Sequence, residues 1–243
     1  MLKIKKIFFV IIVCLSTISV VAQQDAKSIL EELKKRLSEK ENYQTDVLYK
    51  VFKGYQSEEP HETSSGVFFK KGNNVYSKMA EAEIVSTKDL YLKINHKEKA
   101  ILVANGSQEI QNADQFNLDE LFQYLDVDTL KVNTTSWEII LKAKPITQLP
   151  FSSIEIEIDK KTYNIKSQVF YYVSQIDFSK ELRKTDLAPA KLEVTYKNYR
   201  TNKFTLSDKV FNSKQYVVKK NTKYVAVNKY KGYDIVDVIQ PKK

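Results

Sequence analysis

The sequence predicts a mainly β chain with a smaller helical part: an antiparallel sheet whose apolar face lies under helices. Three observations predict it. About ten segments alternate apolar and polar residues between turn-forming stretches, as half-buried strands do. Tyrosine (15) and phenylalanine (12) are abundant while glycine and proline number 5 each, a composition suited to long strands with few breakers. Two segments carry helical spacing instead. A sheet with one apolar face must cover it, and these two helices are the available cover.

Residues 1–22 read as a secretory signal. Lys3, Lys5 and Lys6 precede an apolar run from Ile7 to Leu15, and Val20, Val21 and Ala22 offer small residues for cleavage before Gln23. A membrane anchor is the alternative, but Ser16, Thr17 and Ser19 interrupt the run. It falls short of the roughly 20 apolar residues that a spanning helix needs. Cys14, the one cysteine, lies inside this run, where a lipoprotein reading would make it an acylated first residue. Cleavage after Ala22 would leave a chain without cysteine, independent of disulfide and thiol chemistry.

Residue 25 opens the strongest helix, expected over 25–41, with Asp25 as N-cap and Ile29, Leu30, Leu33 and Leu37 as its apolar stripe. Residues 43–55 follow as a strand with Tyr43, Thr45, Val47, Tyr49 and Val51 on one face. After a charged loop around Pro60, residues 66–71 and 75–79 form a hairpin turned by Gly72 and Asn73. Segments 82–85, 90–94 and 99–104 continue the meander. A second helix is expected where Asn117 caps Leu118, Leu121, Phe122 and Leu125. Strands resume at 136–143 (Trp137, Ile139 and Leu141 on one face), at 153–158 (Ile154, Ile156 and Ile158), at 165–174 and at 191–199. The remainder adds 215–219, 223–227 and an extended stretch after Tyr230.

The net charge of +9 is unevenly spread. Without the three lysines of residues 1–22 it is +6; ten lysines and three aspartates give residues 203–243 +7, so residues 23–202 stand near neutral at −1. This basic stretch suits anionic lipid headgroups or an acidic partner. Alternatively its lysines guard edge strands against pairing. With three arginines in the chain (Arg36, Arg183, Arg200), nucleic acid is excluded as a partner.

Reactive groups are sparse. His61 and His96 stand in a charged loop and a turn, far from each other and from Cys14, and are expected as solvated surface. Asp126 and Asp128 lack the glycine and distal glutamate of a calcium loop. No phosphate-cradling glycine loop and no nucleophile elbow occur. No cofactor, no metal and no enzymatic activity are therefore expected. The aromatic residues serve either an ordinary packed core or an apolar cavity between sheet and helical cover.

The order of these pieces narrows the choice. A signal is followed by an amphipathic helix, then YQTDVLYKVFKGYQ, SSGVFFKKGNNVYSKM and EIVSTKDLYLKINHKEKAILV. This resembles the outer-membrane lipoprotein carrier (LolA-like) family and its wider superfamily of lipid-handling envelope proteins. Gly66, Val67, Phe69, Ile84, Val85, Ser86, Leu90 and Tyr91 take the places of the family's strand and turn motifs. Thr87 and Lys88 stand for its Asp-Gly turn, Tyr91 for its tryptophan, and Lys71 for its lid-latching arginine.

The resemblance implies an unclosed, strongly curved antiparallel β-barrel of about ten or eleven strands, with helices covering the concave face. It divides the chain into a signal (1–22), a half-barrel domain (23–202) and a basic extension (203–243) whose strands pack on that domain. It implies a monomeric periplasmic carrier, in a Gram-negative envelope, that binds lipid or the acyl chains of lipoproteins and hands them on through inner- or outer-membrane transport partners. Expected cavity residues are Tyr49, Val51, Val67, Phe69, Leu90, Leu92, Trp137, Ile139, Ile156, Tyr171 and Val194 from the sheet, with Leu33, Leu37 and Phe122 from the lid and Lys71 as latch. On this reading Phe69→Glu abolishes lipid co-purification without unfolding. The alternative is a non-catalytic envelope scaffold that uses the same fold, its interior filled, to bind a protein.

Overall fold

The computed structural model describes residues 25–106, 123–145, 147, 149–179, 181 and 184–239. The signal, Phe122 and most of the second expected helix lie outside them. Helix α1 (25–39) forms on the expected stripe, with Ala26, Leu30 and Leu33 at successive turns all 0% exposed. Its outer side is laced by Arg36 to Glu32 at 2.6 Å and Lys27 to Glu31 at 3.9 Å.

Among the described residues fourteen strands follow: β1 (Asn42–Lys53), β2 (Glu62–Lys71), β3 (Asn74–Met79), β4 (Ala82–Ser86), β5 (Leu90–Asn95), β6 (Ala100–Asn105), β7 (Leu125–Val132), β8 (Ser136–Ala143), β9 (Phe151–Asp159), β10 (Ile165–Asp177), β11 (Leu187–Arg200), β12 (Val217–Lys220), β13 (Lys223–Ala226) and β14 (Asp234–Asp237). The count exceeds expectation chiefly through β7, where a register shift between Val127 and Thr129 breaks the alternation that would have marked it. Leu125, expected on the apolar face of a helix, opens this strand.

Chain contacts divide the molecule into two units. Unit 1 comprises Met1–Glu39, Val51–Pro60 and Leu118–Glu193; unit 2 comprises Lys40–Lys50, His61–Asn117 and Val194–Lys243. In unit 1 the hydrogen-bonded order is β7-β8-β9-β10, then the first part of β11. In unit 2 it is β14-β6-β5-β4-β3-β2-β1, and β12 pairs only with β13. Among the described residues, β7 in unit 1 and β14 in unit 2 each have one strand neighbour.

The β2–β3 hairpin turns where expected, on Gly72 at φ +56. Gly66 is needed for another reason: a Cβ there would come within 2.3 Å of the Lys78 carbonyl oxygen across the hairpin. One pairing departs from the antiparallel expectation, since β14 runs parallel to β6, with Asp234 opposite Ala100. Parallel neighbours need a long crossover, and the chain between these two strands supplies it.

Candidate functional site

Unit 1 presents a single apolar face. Trp137, Ile139 and Leu141 of β8 stand opposite Ile158, Ile156 and Ile154 of β9, which stand opposite Ile165, Gln168 and Phe170 of β10. Ile139, Leu141, Ile154, Ile156 and Ile158 are all 0% exposed. The reverse side of the same strands is charged. Glu138 directly faces Glu157, and the pair is relieved by Lys131 at 2.6 Å from Glu138 and Lys166 at 2.5 Å from Glu157. Burial pushes the Glu157 carboxyl up, but the hydrogen bonds from Lys166 and Ser136 hold it below the usual glutamate range.

The helix reaches this face at its tryptophan end. The Arg36 guanidinium lies 4.3 Å from the Tyr163 ring centroid, and Tyr163 packs against Trp137 at 5.0 Å. Lys160 lies over the same indole at 5.9 Å. Such cation–π contacts contribute about 0.5–1 kcal/mol each at exposed positions. Tyr171 does not share the isoleucine face. It pairs with Ser153 on the charged side, donates to Glu155 Oε1 at 2.9 Å, and meets Tyr55 edge-on. Burial, with Glu155 adding, pushes its hydroxyl up to about 12.

Unit 2 has two apolar faces. On the first, Phe69, Tyr76, Val85, Leu92 and Val103 form a row across β2 to β6, each directly opposite the next. Val67, Leu90, Ile94 and Ile101 extend it. What covers this face is the chain's own stretch from residue 204 onward. Phe204 and Phe211 each stand 4.9 Å from Phe69, and Tyr216, Val217, Ala226 and Tyr230 are buried in the same cluster. The expected wall residues Val67, Phe69, Leu90 and Leu92 are therefore core beneath the basic segment. With Phe69 at 0% exposure, Phe69→Glu reports on folding and not on binding.

Polar contacts tie this cover down along its length. Gln44, 1% exposed, accepts from the Thr205 amide at 2.9 Å and the Leu206 amide at 3.3 Å. Lys71 pairs with Asp208, so the residue expected to latch a helical lid holds the C-terminal segment. Glu83 holds the far end. Its carboxylate is 1% exposed, accepts from Tyr230 Oη at 2.9 Å and His96 Nε2 at 2.9 Å, and has the Lys229 ammonium at 3.5 Å. Tyr233 completes the group, 3.0 Å from His96 Nδ1. Burial pushes Glu83 up, but the Tyr230 hydrogen bond, the Lys229 charge and His96 outweigh it, and the carboxyl titrates below its ordinary 4.5. The same burial, with the Glu83 charge, pushes the hydroxyls of Tyr76 and Tyr230 far up.

His96 is thus part of a buried network, where the sequence suggested a solvated turn. Its partners lie 13 and 137 positions away, beyond any local signal. Glu83 did carry a signal: it is a carboxylate in step with Val85 on a strand whose alternation turns that side inward.

The second face of unit 2 lies on the reverse of the same strands. Phe68 stacks on Tyr43 at 5.4 Å, and Tyr43 on Tyr199 at 5.5 Å. Val75, Ser86, Tyr91 and Ala104 form a row beside them, and the buried Ser86 hydroxyl has no hydrogen-bond partner among the described residues. Alternation along β1 puts half-buried Tyr49 on the Tyr43 side. Among the remaining expected residues, Leu33 and Val194 are buried, while Leu37, Val51 and Trp137 are half-buried. Among the described residues no group of three His, Cys, Asp or Glu could hold a metal ion. No helix among them is long and apolar enough to cross a membrane.

No protein-family model and no curated protein matches the chain. Solved structures to which it is similar include an uncharacterised conserved protein from Thermus thermophilus, at 12% identity over 88% of this chain and 99% of that one, with a TM-score of 0.46. A putative outer membrane lipoprotein-sorting protein domain from Vibrio parahaemolyticus matches at 11% identity over 77% of this chain and 96% of its own, with a TM-score of 0.40. A LolA superfamily protein from Nitrosomonas europaea matches at 13% identity over 76% and 96%, with a TM-score of 0.35.

Proposed function

We propose that this protein is a non-enzymatic periplasmic carrier that takes the acyl chains of lipid or lipoprotein against the isoleucine face of β8 and β9 and delivers them to the outer membrane. One observation carries the reading. A face of isoleucine and leucine ending in Trp137, backed by a reverse side rich in glutamate and lysine, has α1 brought to its end by a half-buried cation–π contact. Lifting this cover exposes Ala26, Leu30 and Leu33, and each methylene of an acyl chain that takes their place offsets that by about 0.8 kcal/mol. Such a site needs no charged recognition group and no catalytic residue. Phe122 and Leu37 belong to this reading as further lid residues.

A cysteine pair tests it, because the chain from Gln23 onward has no cysteine of its own. In Arg36→Cys/Tyr163→Cys, a reducible cross-linker should lock α1 to the β9–β10 turn. Uptake of a fluorescent fatty acid is expected to fall at least about tenfold when locked and to return on reduction. Uptake that ignores the lock would sink the proposal. A second reading, a scaffold that binds protein with a filled interior, is favoured by unit 2, whose first apolar face is filled by its own chain. A partner captured equally by delipidated protein would support that reading.

A further inference from the structure

The segment that covers the first face of unit 2 concentrates positive charge in its middle, between Asp208, which pairs with Lys71, and Asp234 and Asp237 of β14. From Lys209 to Lys231 the chain has seven lysines and no acidic residue. Lys229 reaches Glu83, but Lys209, Lys214, Lys219, Lys220, Lys223 and Lys231 are exposed and, among the described residues, have no ion-pair partner. The hairpin β12–β13 shows how the sides divide. Val217 opposite Ala226 points into the core, whereas Val218 opposite Val225 and Lys220 opposite Lys223 point outward. Lys219 lies across the Tyr224 ring at 5.6 Å near the tip. Edge protection accounts for lysines on unpaired strands, but Lys209 and Lys214 sit in short 3-10 turns, where no strand edge needs guarding.

We propose that hairpin β12–β13 and its flanking lysines form a docking surface for an anionic phospholipid bilayer. Lysines are compact point charges without the fork of arginine, so they suit a diffuse anionic surface better than one defined phosphate. Val218 and Val225 set a small apolar patch among them, as in an interfacial anchor. The contacts of Gln44, Lys71 and Glu83 hold the segment to the sheet, so this charge is presented on a fixed support. The surface is independent of the acyl-chain site: its test needs no cargo, and either can fail while the other stands.

The test is flotation of the chain from Gln23 onward with phosphatidylcholine vesicles, with and without roughly 30% phosphatidylglycerol. Binding is expected only with the anionic lipid, and is lost near about 1 M salt, where the screening length is about 3 Å. Lys219→Glu/Lys220→Glu/Lys223→Glu should weaken it at least about tenfold. Reversal of Lys88, Lys93 and Lys97, exposed lysines elsewhere in unit 2, should weaken it less than about threefold. Failure of the unaltered protein to bind anionic vesicles overturns the proposal, as does an equal loss in both variants. Binding to polyglutamate but not to vesicles overturns it in favour of an acidic protein partner. If the triple reversal disturbs folding, neutralisation of the same three lysines to glutamine carries the comparison.

Discussion

The apolar faces of the two units are covered by opposite means. In unit 1 α1 meets the turn beside Trp137 through a half-buried stacking contact of Arg36 on Tyr163. In unit 2 the cover is continuous chain, packed through six aromatic rings and tied at a buried glutamate. The difference is one of reversibility. Apolar and stacking contacts re-form around whatever replaces them, whereas a buried carboxylate that loses its partners must be solvated or protonated. On the reading proposed above, the first kind of cover lies over the acyl-chain site and the second kind over the rest.

Four measurements break or sharpen this contrast, from the largest effect to the smallest. Phe69→Ala should destabilise unit 2 by about 3–5 kcal/mol, because it empties the space between Phe204 and Phe211, and chemical denaturation would read it. Glu83→Ala should cost about 2–3 kcal/mol by orphaning Tyr230 and His96. Its distinguishing sign is earlier proteolytic cleavage within residues 204–239, and a cleavage pattern like that of the unaltered protein would refute the clamp.

Acidification is the third measurement. The Glu83 carboxyl is depressed in the folded state, so the unfolded chain binds its proton first. Its contribution is complete above the ordinary 4.5 and is lost as pH falls below that value through the folded one. Cleavage within 204–239 should therefore quicken below about pH 4.5, and Glu83→Gln should flatten that dependence. The smallest effect belongs to Arg36→Ala. It should loosen α1 by about 0.5–1 kcal/mol, seen as faster amide exchange in residues 25–39, with exchange in β2–β6 unchanged.

The sequence was most legible where one face of a strand is charged. In β8 and β9, isoleucine alternates with glutamate and lysine, and the pairing of Ile139 with Ile156 follows directly. It was least legible where both faces are covered. Phe68 and Phe69 are adjacent and both buried, at 1% and 0%, so alternation in β2 could not say which looked toward which cover. The expected wall mixed the two sides: Tyr49 shares a face with Tyr43 and Phe68, while Phe69 and Leu92 point the other way. The basic segment hid its role for a related reason. Its lysines alternate with Val217, Tyr224 and Ala226 as they would on any half-exposed strand, and only long-range packing tells cover from edge.

The parallel pairing of β14 with β6 bears on the order in which the molecule can form. Asp234 must find Ala100, 134 positions earlier in the chain, and the β2–β6 meander is made long before its covering residues exist. Local hairpins close quickly and distant partners slowly, so the row from Phe69 to Val103 waits bare until residues 204–237 arrive. A chain threaded through a membrane from its N-terminus would emerge with that greasy row exposed and would need shelter until β14 docked. For this molecule, the vulnerable interval is set by the distance along the chain between two short strands.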